Sequence, residues 1–139
     1  MKYSENANYQ RYMSSYAEGD LVAAKAALLA CASDFEQSGA AAHRADLLQR
    51  IGSIEHQLGD TEAALQCFRS SEALDPESLL VRIQFAKFLA EKVNDKQAAL
   101  AKCDEIVSRA RANPLPESES DYGSDEYAQM AEAIKQALV

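Results

Sequence analysis

The feature that most constrains this chain is a turn dipeptide that keeps returning. Gly19-Asp20, Gly59-Asp60 and Asn94-Asp95 stand 40 and 35 residues apart, and each joins two stretches with helical apolar spacing. Gly supplies the left-handed residue that ends a helix, and Asp caps the next one. Helix pairs recurring with a period near 34 residues point to a solenoid. One pair cannot bury its own inner face, so about three must stack. Ala, Leu, Glu, Gln and Lys dominate the chain, β-branched residues are few, and Gly and Pro are scarce and sit, Gly52 apart, at punctuation points. That composition favours helix nearly everywhere. The expected fold is therefore all-α, one domain over residues 1–139, with about seven helices.

Apolar spacing places the helices. The first covers about residues 4–18, with Tyr9, Tyr12, Met13 and Tyr16 on one face. The second runs from Leu21 to Ser38-Gly39 and buries Ala24, Leu28, Cys31 and Phe35. The third, about 40–58, has Leu48, Ile51 and Leu58 on its inner face, with Leu47 and Ile54 alongside. Gly52 lies in that stripe. A mid-helix Gly costs about 1 kcal/mol against Ala, and a neighbouring helix passing too close for a side chain is the reason expected. The fourth helix, about 61–73, turns Ala64, Leu65, Phe68 and Ser71 inward. Asp75 then caps, and Pro76 takes the first helical position. Helices over about 77–92 and 96–111 bury Val81, Phe85, Phe88 and Leu89, then Ala99, Leu100, Cys103, Ile106 and Val107. Residues 113–123 form a loop with two prolines. Ser124 caps a last helix over 124–138 whose stripe is Tyr127, Met130, Ala131, Ile134 and Leu138.

The central unit, Ala45 to Ser78, resembles a tetratricopeptide repeat. That family's pattern of a large apolar residue, apolar-Gly, small, aromatic, small and closing Pro is met by Leu48, Ile51-Gly52, Ala64, Phe68, Ser71 and Pro76 over 34 residues. Glu55 departs from it, since the family usually has Tyr there. The unit over about 79–113 keeps Phe85, Ala86, Ala99 and Ile106 after one inserted residue near Val93, with Cys103 in place of the aromatic. The unit over about 5–38 keeps Tyr12 and Gly19-Asp20-x-x-x-Ala24, with about six extra residues before the next unit. The resemblance implies a right-handed α-solenoid of helix-turn-helix repeats, with the 124–138 helix either capping the last open face or acting as a detachable segment that occupies the groove. An unrelated helical bundle is the alternative.

In such solenoids the first helix of each pair lines a concave groove. By register the groove residues are Tyr9, Gln10, Met13 and Tyr16, then Gln49, Arg50, Ser53, His56 and Gln57, then Gln84, Lys87 and Glu91. Asn6 and Asp46 join them, and Ile83 lies between those of the third unit. Tyr and Arg are the types that anchor interfaces; the alternative is that Tyr9, Tyr12 and Met13 are core or exposed rim. One branch of the family clamps the terminal carboxylate of chaperone tails with Lys, Asn and Arg. Here Tyr9 and Met13 stand where that branch has Lys and Asn, so no such clamp is expected.

The function expected is non-catalytic: a protein–protein interaction module that binds a peptide or helix of a partner. Nothing suggests an active site. His43 and His56 are 13 apart, there is no HExxH, CxxC or Gly-rich phosphate loop, and Gly52-Ser53 lies in a helix instead of a nucleophile elbow. No metal or cofactor is expected. His56 in the groove would make binding pH-sensitive, or is a plain surface His. The net charge of −8 disfavours nucleic acid as a partner and suits a basic protein. With five acids and no base over 117–126, it also fits an inhibitor or immunity-type protein masking a basic toxin or enzyme. A secretion-type chaperone is a further alternative, one class of which resembles three tandem repeats in an acidic chain. The partner state expected is a monomer or weak homodimer, and self-assembly through an uncapped repeat end is open. Cys31, Cys67 and Cys103 are an odd set spaced by the repeat, which reads as buried packing thiols in a reducing cytoplasm. No membrane span is expected.

Overall fold

The computed structural model describes residues 5–36, 41–93, 95–116 and 122–138. Among them there is no strand. Seven α-helices follow in order: α1 (Ala7–Ala17), α2 (Leu21–Phe35), α3 (Ala41–Gln57), α4 (Thr61–Leu74), α5 (Leu79–Phe88), α6 (Lys96–Ala112) and α7 (Ser124–Leu138). The chain divides into two compact units, residues 1–76 and 77–139.

The turn residues act as their chemistry requires. Gly19 and Gly59 take φ of 79° and 91°, the left-handed region. Asp20, Asp60 and Asp95 each accept the backbone N–H three residues on, from Ala23, Ala63 and Ala98, at 3.0, 3.0 and 3.1 Å. The junction after α4 differs from the expectation. Asp75 ends α4, and the cap of α5 is Ser78, whose side chain accepts the Val81 N–H at 3.2 Å. Pro76 therefore lies in the turn, ahead of the helix. A further difference follows α5. Leu89–Val93 forms a π-helical turn, the helical form that holds one extra residue per turn. It coincides with the residue inserted relative to a 34-residue period.

In the first unit, α1 to α4 enclose one core. Tyr12, Ala24, Leu28, Cys31, Phe35, Leu47, Ile51 and Ile54 are buried together. On α3 the stripe runs through Leu47, Ile51 and Ile54. Leu48 is half-buried and Leu58 exposed, because the helix ends at Gln57 and Leu58 has left its periodicity. Gly52 meets the close neighbour expected of it. A Cβ there would stand 3.1 Å from Cys67 Cβ and 3.2 and 3.3 Å from Phe68 Cε2 and Cδ2 on α4. Lower on the same pair, the buried Ser71 hydroxyl donates to the Ala45 carbonyl at 2.5 Å. Glu55, where the family has Tyr, is buried and ion-paired with Lys25, so α2 and α3 are tied by charge. At the far end of α1 and α2, Asp34 accepts from Asn6 Nδ2 and Asn8 Nδ2 at 3.0 and 2.8 Å.

In the second unit, Ile83 and Ala86 of α5, Cys103, Ile106 and Val107 of α6, and Tyr127 and Ala131 of α7 form a core, with Met130 and Ile134 packed against it. Helix α7 thus covers the apolar faces of α5 and α6. Ser124 is buried, and its hydroxyl serves the preceding loop. It accepts the Leu115 N–H at 2.8 Å and donates to the Asn113 carbonyl at 3.2 Å, while the Ser124 N–H donates to the Leu115 carbonyl at 2.9 Å. Of the acidic run, Asp125 and Glu126 begin α7, where negative charge meets the positive helix end. Glu117 to Asp121 lie outside the described residues. Arg82 is buried, and its Nη2 and Nε both lie 3.3 Å from Glu105 Oε1.

Candidate protein-binding site

The first unit assembles a polar and aromatic face from α1 and α3. Tyr9, Tyr12 and Tyr16 recur at helical spacing on α1, so their rings run along one side. Tyr9 and Tyr12 are 5.6 Å apart between centroids, and Tyr12 and Tyr16 5.9 Å, both tilted. Helix α3 reaches this row at two points. Arg50 donates from Nη1 to the Tyr12 hydroxyl at 3.3 Å, and its guanidinium carbon lies 5.7 and 5.9 Å from the Tyr9 and Tyr12 ring centres. Such contacts combine hydrogen bonding with cation–π attraction. Two turns further along α3, Gln57 Nε2 donates to the Tyr16 hydroxyl at 3.0 Å.

Asp46 fixes this arrangement from within α3. One oxygen accepts from Arg50 Nε at 3.1 Å, in the i, i+4 spacing that favours ion pairs, and the other from Gln49 Nε2 at 2.9 Å. The pair holds the guanidinium over the rings. Burial pushes the Tyr9 phenol above its ordinary value of 10.0, with the Arg50 charge pulling the other way. The Tyr9 hydroxyl is therefore protonated at neutral pH.

The expected groove residues divide into distinct groups. Tyr9, Tyr16, Arg50 and Gln57 are brought together. Met13 is 51 % exposed and Tyr16 43 %. Gln49 is buried at 5 %, and its side chain braces Asp46. Ser53 is half-buried and donates to the Gln49 carbonyl at 3.1 Å. His56 is half-buried, and Gln10 is exposed at the edge of α1. Asn6 is buried as the cap of α1. In the second unit, Gln84 is half-buried on α5, Lys87 exposed on it, and Glu91 exposed in the π turn. Ile83 is not surface: it is 1 % exposed and belongs to the core under α7. Sequence reading missed the part played by Tyr12. Its place in the apolar stripe marked it as a core residue, and only the fold shows that its hydroxyl meets Arg50.

The cysteines are free, and burial raises all three thiols. Such thiols are poor nucleophiles. Among the described residues no three His, Cys, Asp or Glu side chains are grouped to hold a metal, and no helix is long and apolar enough to cross a membrane.

No family model matches the sequence, and no curated protein matches it. Among solved structures, the chain is similar to the crystal structure of PcrH from Pseudomonas aeruginosa, with a TM-score of 0.69 and 20 % identity. The likeness covers 97 % of this chain and 93 % of that one. It shows the fold, an all-α helical repeat of the tetratricopeptide-like kind.

Proposed function

We propose that this chain is a tetratricopeptide-repeat protein that carries out no catalysis and binds a segment of another protein. The face of α1 and α3 is the binding surface of its first unit. One observation carries the reading: Arg50 holds Tyr9 and Tyr12 by a hydrogen bond and cation–π contacts and Gln57 holds Tyr16, yet Met13 and Tyr16 stay about half open to solvent. A preorganised aromatic surface loses little entropy when a partner binds, and so retains more of its contact energy as affinity.

The test is capture of partners from the native cell with the intact chain and with a Tyr16→Ala, Arg50→Ala double variant. Partners lost by the folded variant support the reading. Partners retained by it count against this face.

A secretion-type chaperone is the second reading. It is favoured by the layout of three helix pairs closed by α7 in a chain of net charge −8. It predicts a dimer in light scattering and co-purification with an apolar client.

A further inference from the structure

The chemistry of the α1–α3 face narrows what it can hold. Arg50 is the cation that sequence alone would offer to an acidic partner, but its charge is met inside the face. Asp46 takes its Nε, the Tyr12 hydroxyl takes its Nη1, and the rings of Tyr9 and Tyr12 flank it. Asp46 in turn has one oxygen on Arg50 and the other on Gln49. Tyr16 and Gln57 likewise bind each other. An incoming carboxylate would compete with Asp46 for a guanidinium whose charge is already paired, and so gains little from it.

What the face presents to solvent is the thioether of Met13 and the ring of Tyr16, with half-buried Tyr9 at i, i+4 and i+7 along α1. Met is an adaptable apolar contact, and aromatic rings supply contact area at low entropic loss. The surroundings carry the opposite charge to Arg50. Residues 1–76 hold six Lys or Arg against eleven Asp or Glu, a net charge of −5. Glu18 and Asp20 follow Tyr16, and Asp60 follows Gln57, all exposed at the same ends of their helices.

We infer that the occupant of this face is a partner segment anchored by an uncharged apolar side chain set against Met13 and Tyr16 and flanked by Lys or Arg. An acidic tail or free C-terminal carboxylate does not fit it. Arg50 is a positioning residue that holds the rings. This inference rests on the protein-binding reading above and specifies its partner.

The test uses the full chain and three pools of labelled twelve-residue peptides. The first has a Leu, Ile or Met centre flanked by Lys and Arg. The second has the same centre flanked by Asp and Glu. The third has acidic residues, no apolar centre and a free carboxylate. Binding is read by fluorescence anisotropy and by amide shifts of the protein. The first pool is expected to bind about tenfold or more tighter than the others, with shifts over residues 9–16 and 50–57 and an association rate that falls with salt. Met13→Ser, at an exposed position, is expected to weaken that pool about tenfold while the thermal melt stays unchanged. Equal or tighter binding of the second or third pool at this face would overturn the inference and leave the protein-binding reading standing. If no pool shifts any amide in 9–16 or 50–57, both fall.

Discussion

Gly52 shows how much one missing side chain fixes. Its place in the apolar stripe of α3 is held by the Cβ of Cys67 and the ring edge of Phe68, all within 3.3 Å of where a Cβ would stand. Gly52→Leu is therefore expected to lower stability by about 3 kcal/mol or to prevent folding, because overpacking displaces α4. A thermal melt within a degree or two of the parent would mean that α4 yields freely. Packing residues such as Gly52, Ala64, Phe68 and Ser71 were legible in the sequence, since repeat stacking allows few residue types at those places. The polar residues between them were less so. Gln49 and Arg50 sit side by side and look alike as surface groups, yet Gln49 is buried beneath Asp46 and Arg50 spans two tyrosines. Helical spacing locates a side chain on a face but does not say where that face meets its neighbour.

At the level of elements, charge does work that the family's pattern assigns to an aromatic. Lys25 and Glu55 join α2 to α3, and their burial is unequal: the Glu55 side chain is 7 % exposed and that of Lys25 35 %. Lys25→Ala strands a buried carboxylate and is expected to cost about 3 kcal/mol, whereas Glu55→Ala leaves an ammonium that can reach water. Denaturant midpoints that rank the two variants in the opposite order would contradict this assignment. The hydrogen bond to Glu55 holds the Lys25 ammonium above its ordinary 10.5. The stability it adds is thus present below that pH and is lost as pH rises through the folded value.

Between α5 and α6 the linkage has the opposite sign. Burial pushes Glu105 up, but Lys102 and Arg82 outweigh it and hold the carboxyl below its ordinary 4.5. The stability it supplies is full above 4.5 and disappears as pH falls through the lower folded value. Denaturant midpoints taken from neutral pH down to about pH 3 should fall less steeply in Glu105→Gln than in the parent. A parallel fall would place the acid sensitivity elsewhere. The helices themselves were largely legible because Gly-Asp turns and period-3.6 stripes mark both ends. The miss at α5 arose because Asp75-Pro76 satisfies the rule for a helix start equally well, and Ser78, three residues before Val81, competes for the same role.

For the molecule as a whole, the open end of the last pair decides whether the second unit holds together. Tyr127 and Ala131 of α7 lie on Ile83, Ala86, Cys103, Ile106 and Val107. A chain ended after Ala112 would bare that surface, and each large apolar side chain returned to water loses about 1.5–3 kcal/mol. Such a chain is expected to bind a hydrophobic dye and to lose the cooperative melt of the second unit. Unchanged melting would assign α7 a role other than covering this core. The helical-repeat architecture could be read from the sequence because it follows from period alone. The binding chemistry could not, because it depends on which charges cancel within a face.

The π turn at Leu89–Val93 confines one extra residue to a single turn of helix. A helix that gains one residue can either rotate everything beyond it by about 100° or widen a single turn to hold the newcomer. Widening leaves the register of Asp95 and α6 intact.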